Sequence, residues 1–449
     1  MNIGIIGAGY VGITTGICLA DVGHRIYVYD IDEEKVKKLQ NKTMPFFEAG
    51  LQTILEKVTE SKSLTIDSDL NIIVKNTEGC FVCVGTPTKE NKIDLSQIIE
   101  SIRAIARAIK NNNKNNYMII IRSTVVPTTT RNEILPILKE TLSENEFRLC
   151  VSPEFLREGI ALEDFMNPDK IVIGANEKNS HIFVERIFES FKGKCEFVNT
   201  NYETAELIKY TNNAFFSTLI SFSNEIANIS EKLSNVDSYQ VLKALVSDKR
   251  ITSKNKEEKI TPSLASYLIP GCGFGGSCFP KDVKAILNFA NINKVKTPLL
   301  QAVLEINDER PTKMVLLCES ILHNLNNKKI SILGLTFKPD TDDTRSSPAL
   351  DAIKLFGQKG ASTFVYDPMI KKNSNMLNDY TNCTITETMN ESLQDSDAVL
   401  VFTKWPEFKN IDEHLLKKFM KNPIIIDGRG FLDEQKFQKN TFFKMGFSE

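Results

Sequence analysis

Residues 2–12 read Asn-Ile-Gly-Ile-Ile-Gly-Ala-Gly-Tyr-Val-Gly, and no other stretch constrains the fold as tightly. A short apolar run ends in Gly7-x-Gly9-x-x-Gly12, with Tyr10 and Val11 between the glycines, and a helical pattern covers 11–22. A glycine turn between strand and helix lets backbone N–H groups meet a pyrophosphate at the helix N-terminus. Asp30 closes the next apolar run, at the spacing that brings a carboxylate to a ribose 2′-hydroxyl. An acid there repels a 2′-phosphate, so the pattern selects NAD over NADP.

Further apolar runs at 64–66, 80–84, 117–121, 148–151 and 170–173 alternate with helical patterns. Such alternation predicts a parallel sheet covered on both faces, a doubly wound α/β domain. From Tyr202 the period changes: 202–233 lacks Gly and Pro and repeats apolar residues at helical spacing, which predicts one long helix. Helical sequence continues to about 256, and the charged 254–259 reads as a solvated loop or frayed helix end. The asparagine-rich 111–116 reads as a polar turn. The last third repeats the first: 329–335 matches 2–8 in shape, 362–367 matches 25–30, and 398–402 resembles 80–84. After Gly334, however, the second copy reads Leu-Thr-Phe-Lys-Pro, without phosphate-cradling glycines. The expected α/β architecture is two Rossmann-like domains holding different ligands, 1–200 and 316–449, joined by a helical domain, 201–315.

Charge excludes one class of function. Lys and Arg number 55 against 57 Asp and Glu, so no basic footprint for nucleic acid exists. Nine cysteines, an odd and sparse count, suit a reducing compartment. Cys80 and Cys83 sit in a buried-strand pattern where residues three apart face opposite sides, so they read as structural and no metal is expected. No apolar run reaches the ~18 residues of a membrane span, and no signal segment is evident. A cytoplasmic, soluble protein is expected.

Cys278 lies in Gly275-Gly-Ser-Cys-Phe-Pro-Lys-Asp282, ahead of a helical stretch. The helix dipole and Lys281 both favour a thiolate there, although a free cysteine is equally a small buried hydrophobe. Asp282 is placed to hydrogen-bond back towards the loop, and the glycines allow close ligand approach. Lys209 and Asn213, one turn apart, could steady an oxyanion or form an ordinary surface stripe. Glu154 and Glu158 in Ser152-Pro-Glu-Phe-Leu-Arg-Glu-Gly159 could cap a helix.

Taken in order, GAGYVG, RSTVVP, SPEFLREG, AELIKYTNNAF, GFGGSCFPKD and GLTFKPDTDDTR resemble the UDP-glucose/GDP-mannose dehydrogenase family from Met1 to about Gly430, with FTKW and DGRG also fitting. The resemblance implies a four-electron oxidation of a nucleotide-sugar C6 alcohol with two NAD, through a thiohemiacetal and thioester on Cys278. It makes Lys209 and Asn213 the donors to the C6 oxygen. Asp282, Thr124 and Glu154 become the groups that hold or deprotonate water, with Glu154 as base for thioester hydrolysis. NAD contacts carried over are Gly7, Gly9, Tyr10, Val11, Gly12, Asp30, Lys35, Thr86, Thr124, Glu158, Lys281 and Arg345. The nucleotide-sugar pocket carried over comprises Glu154, Phe155, Leu156, Arg157, Glu158, Lys209, Asn213, Tyr267, Leu268, Ile269, Pro270, Gly271, Gly275 and Lys338, with Lys338 a point charge for diphosphate. Family members pair through the long helix, which implies a homodimer or an assembly of dimers. One departure concerns Arg250, which in the family reaches across the dimer to substrate: here 253–265 lengthens the link that follows it. UDP-glucose is the expected substrate and GDP-mannose the runner-up. The rival classes are a one-step hydroxyacid dehydrogenase, which needs no cysteine, and a non-catalytic NAD sensor.

Overall fold

Strands buried on both faces need apolar side chains in both directions, and the runs Asn-Ile-Gly-Ile-Ile and Tyr-Met-Ile-Ile-Ile supply them. The computed structural model describes residues 1–89, 92–255 and 258–448, and the chain divides into two compact units, Met1–Asn212 and Asn213–Glu449. The division falls inside one continuous helix.

The first unit is built on eight strands: β1 (Asn2–Ile6), β2 (Arg25–Tyr29), β3 (Leu64–Asp67), β4 (Gly79–Val82), β5 (Tyr117–Ile121), β6 (Phe147–Val151), β7 (Lys170–Gly174) and β8 (Glu196–Thr200). Their order is β8-β7-β6-β5-β4-β1-β2-β3. The six strands from β3 to β6 are parallel and follow the 3-2-1-4-5-6 order of a doubly wound dinucleotide fold. The expectation of a wholly parallel sheet fails at β7, which meets β6 antiparallel through Val151 and Gly174. The reason lies in the connection. Its only helix, Ala161–Met166, spans about 9 Å, whereas returning along a five-residue strand takes about 16 Å. The ten-residue helix Lys178–Ile187 then carries β7 to β8 in parallel, and β8 is a strand that the apolar pattern did not reveal.

Cys80 and Cys83 are buried, and burial pushes both thiols up to about 12, as structural cysteines require. Among the described residues no cluster of His, Cys, Asp or Glu could hold a metal, and no helix is long and apolar enough to cross a membrane.

The second unit contains a six-stranded parallel sheet: β9 (Lys329–Leu333), β10 (Ser362–Tyr366), β11 (Cys383–Ile385), β12 (Ala398–Val401), β13 (Ile425–Asp427) and β14 (Phe442–Lys444). Its order, β11-β10-β9-β12-β13-β14, repeats that of the six parallel strands from β3 to β6 in the first sheet. The helices that matter below are α1 (Tyr10–Asp21), α2 (Tyr202–Ser230), α3 (Phe279–Ile292) and α4 (Pro298–Leu322). The long helix thus ends three residues earlier than its pattern suggested, and the next one stops at Val246. Most of 254–259 is neither loop nor frayed helix: Ser253–Asn255 and Glu258–Ile260 pair as an antiparallel hairpin, with Lys256 and Glu257 outside the described residues. The 111–116 turn is as expected, with Asn113 and Asn116 in the left-handed backbone that asparagine tolerates.

Gly334 after β9 stands where Gly7 stands after β1, both with positive φ, and each donates its N–H to the tyrosine carbonyl that ends the neighbouring strand. A Cβ on Gly334 would overlap the Thr403 side chain. Gly334→Ala therefore combines backbone strain with overpacking and is expected to destabilise the second unit by about 2–4 kcal/mol, read as a lower urea midpoint by circular dichroism.

Candidate active site

Five sequence-selected segments share one edge of the first sheet, the carboxyl ends of its parallel strands, where α/β folds bind ligands. Gly7–Gly12 follows β1, Asp30 follows β2, Thr86 lies beyond β4, Thr124 beyond β5, and Glu154 to Glu158 beyond β6. A Cβ on Gly12 would overlap the Gly7 carbonyl oxygen, so the turn is closed tightly upon itself. Gly9, in contrast, faces open space within 4 Å, and no side chain caps the first turn of α1. Those free N–H groups and that gap fit a pyrophosphate. Asp30 is buried and accepts from the N–H groups of Ala8 (2.6 Å) and Asp32 (2.8 Å), which fixes the carboxylate and leaves lone pairs for ribose hydroxyls. Thr86 donates to the Thr124 carbonyl at 2.7 Å, joining two predicted cofactor contacts. Lys35 lies farther out, paired with Asp32 at 3.6 Å.

Glu154 and Lys209 form a buried ion pair. Lys209 Nζ lies 2.9 Å from Glu154 Oε1 and 2.7 Å from its carbonyl, and both side chains are about 95% covered (4% and 6% exposed). Burial alone would raise the Glu154 carboxyl. Lys209, Arg122 and the Leu156 N–H reverse that and hold it below the usual glutamate range. The carboxylate is thus ionised at neutral pH.

In the second unit Cys278 is half-buried at the N-cap of α3, with no side-chain capping bond. Proline at N2 suits that helix start. Ser277 Oγ is 3.5 Å from its Sγ. Asp282, in the first turn, is buried and bonded to Lys281 and to Asn213 Nδ2 (2.6 Å), and its N–H closes the turn on the Cys278 carbonyl at 2.8 Å. Asp282 therefore orients Asn213 and Lys281, rather than reaching back to the loop with its carboxylate. The preceding loop is fixed by protein as well: a Cβ on Gly275 would overlap the Ser346 carbonyl, and Gly276 N–H donates to the Arg345 carbonyl. The glycines are needed for this packing, a role beyond the expected ligand approach. The Arg345 side chain is paired with Asp343, and Lys338 Nζ sits 5.7 Å from the Phe337 ring centroid. Tyr267 packs against Phe216 with ring centroids 4.5 Å apart and the planes tilted by 32°. Arg250 is not brought to any of these. Its side chain is 85% exposed and bidentate to Asp248.

Four site-building residues were not singled out from the sequence: Arg310 and Asn307 lie outside every motif above, whereas Glu206 lies inside AELIKYTNNAF and Arg429 inside DGRG. Arg310 is fully buried, donating to the Gly271 carbonyl (2.7 Å) and Asn228 Oδ1 (2.6 Å). Asn307 brackets Phe274, accepting its N–H and donating to its carbonyl. Arg429 donates to the Gly273 carbonyl at 2.8 Å. In the first unit Glu206, pushed up to about 7 chiefly by burial, accepts from Thr128 and Thr130 N–H and anchors the chain beyond Thr124. For Arg310 the only hint the sequence offers is a polar residue inside a helical apolar pattern, whereas Glu206 and Arg429 were within reach of the motifs that contain them.

Fold and site together define a nicotinamide-dependent oxidoreductase. Residues 1–192 match the NAD-binding domain of the UDP-glucose/GDP-mannose dehydrogenase family, 203–309 its central domain and 331–434 its UDP-binding domain. The chain is 38% identical over 445 residues to the UDP-glucose 6-dehydrogenase of Rickettsia bellii, covering 98% of each. It is 35% identical to UDP-glucose 6-dehydrogenase TuaD of Bacillus subtilis, over 97% of this chain and 91% of that one. A UDP-glucose dehydrogenase structure from Pyrobaculum islandicum superposes with a TM-score of 0.89 at 31% identity, covering 100% of this chain and 98% of that one. The chain belongs to the UDP-glucose/GDP-mannose dehydrogenase family. Its cofactor is NAD and its substrate a nucleotide sugar.

Removing one member of the buried Glu154–Lys209 pair strands the other. Glu154→Gln is expected to cost ~3–5 kcal/mol, and adding Lys209→Met should restore part of it, read by urea denaturation. Because the folded Glu154 pKa is lowered, the pair's contribution is present above the ordinary glutamate range. It is lost as pH falls through the lowered folded value, so the difference between wild type and Glu154→Gln should shrink in acid.

Proposed function

We propose that the chain oxidises the C6 alcohol of UDP-glucose to the carboxylate of UDP-glucuronate, with a covalent intermediate on Cys278. The likeness to relatives named for UDP-glucose, at up to 38% identity over 98% of the chain, is the observation that carries the substrate. NAD, when bound, is the hydride acceptor for each of the two oxidations. Cys278 Sγ adds to the C6 aldehyde, which converts a carbon unable to lose hydride into a thiohemiacetal that can. Its oxidation leaves a thioester. Glu154 takes a proton from the attacking water, the C–S bond breaks and the thiol regains its proton. Lys209 and Asn213 donate to the C6 oxygen as charge develops there, and Asp282 holds Asn213 by the 2.6 Å bond. Water supplies the second carboxylate oxygen, so one sugar consumes two NAD and one water.

In this reading residues 1–200 bind NAD, 201–315 carry catalysis and pairing, and 316–449 hold the nucleotide, with Lys338 at the diphosphate. The enzyme works in the cytoplasm, where its cysteines stay reduced. Phe215, Phe222 and Ile229 are 51%, 42% and 55% exposed at seven-residue spacing on α2, an apolar stripe that a second copy of the chain would cover. Arg250 would then act, if anywhere, on the partner's substrate.

NADH released from limiting UDP-glucose should reach two per sugar, and Cys278→Ser should lower turnover by ~10⁴-fold or more. A yield of one that survives the serine would return the chain to single-step dehydrogenases. Two NADH from GDP-mannose but none from UDP-glucose would keep the chemistry and change the substrate. Phe222→Glu should shift the sedimenting species towards the 50.6 kDa chain mass.

A further inference from the structure

Glu48 belongs to none of the motifs above, yet it is 4% exposed inside the first unit and accepts three hydrogen bonds. The Tyr10 hydroxyl donates to its Oε2, as does the Gly159 N–H at 2.7 Å, and the Ala161 N–H donates to its Oε1 at 2.8 Å. Tyr10 is the first residue of α1, inside the glycine turn that receives NAD. Gly159 ends the 152–159 segment whose residues 154–158 are read above as nucleotide-sugar contacts. Tyr10 is braced on its other side by the Phe46 ring, with centroids 4.9 Å apart. Burial and the bond to Glu48 push the phenol well above its ordinary value, so it remains a donor across the working pH range.

We propose that Glu48 is a positioning residue that couples the cofactor turn to the nucleotide-sugar segment, so that a ligand on either side strengthens binding on the other. The inference rests on the functional reading above for which ligand each segment holds. A carboxylate with three donors has one geometry, and moving the Tyr10 end shifts the anchor of residues 159–161. Linkage then requires that whatever nucleotide sugar does for NAD, NAD does equally for nucleotide sugar. An amide at position 48 offers only one acceptor atom and turns N–H donors against backbone N–H. Tyr10→Phe cuts the link at its far end and leaves the carboxylate with both backbone partners. A mere structural brace would change stability and each affinity without changing the coupling between them.

The test is calorimetric titration with NADH and UDP-glucose, a pair that cannot react, each alone and with the other saturating. Wild type should bind each about tenfold tighter in the presence of the other. In Tyr10→Phe, and in Glu48→Gln, that factor should fall to about twofold or less, and the double variant should lose no more than Glu48→Gln alone. Retention of the wild-type factor in Tyr10→Phe overturns the proposal, as does an additive double variant or a wild-type factor near one. Should Glu48→Gln fail to fold, Tyr10→Phe decides alone. Failure of the substrate assignment looks different: wild type would yield no NADH from UDP-glucose, and the titrations are then run with GDP-mannose on the same criteria.

Discussion

The position of Cys278 depends on a loop fixed by buried donors. Residues 271–274, two of them glycine, lie outside any helix or strand, so their carbonyls would be costly to bury unpaired. Arg310, Asn307 and Arg429 supply the missing donors, and Asn224 accepts the Gly271 N–H at 2.8 Å. These groups come from α2, α4 and the turn after β13, so the loop is clamped by three separate parts of the second unit. Among the described residues the Arg310 Nη2 finds no hydrogen-bond partner. Such a buried guanidinium is tolerated where it satisfies groups that nothing else can reach.

The internal repeat shows how one backbone plan is given two tasks. Asp30 and Asp367 occupy the same place, each following the tyrosine that ends a second strand. Asp30 accepts two backbone N–H groups and keeps room for a ligand. Asp367 accepts from Leu335, Thr336 (twice), Met369 and Trp405, and is consumed by its own fold. In a sheet with the same parallel strand order, the equivalent acid is therefore committed to the protein's own donors.

What could be read beforehand follows from the range of the interactions concerned. The glycine turn, Asp30, the helix from Tyr202 and the two related sheets were legible because each is encoded within a few adjacent residues. The reversal of β7 was not, since it depends on how far a six-residue helix reaches. The 253–260 hairpin was missed because a charged run signals exposure and leaves backbone pairing undetermined. Lys209, Asn213 and Asp282 were visible as residue types but not as partners. The 2.9 Å contact to Glu154 joins positions 55 apart, and the 2.6 Å contact between Asn213 and Asp282 joins positions 69 apart. Glu48 left no trace, because an acid after two phenylalanines says nothing about the three donors that converge on it.

Trp405 is the chain's only tryptophan, and its indole N–H ends on the buried Asp367 carboxylate at 3.1 Å. The optical consequence is that the protein carries a single long-wavelength fluorophore, seated at the turn of the second sheet. Its emission reports the integrity and polarity of that one corner of the second unit, undiluted by any indole in the first.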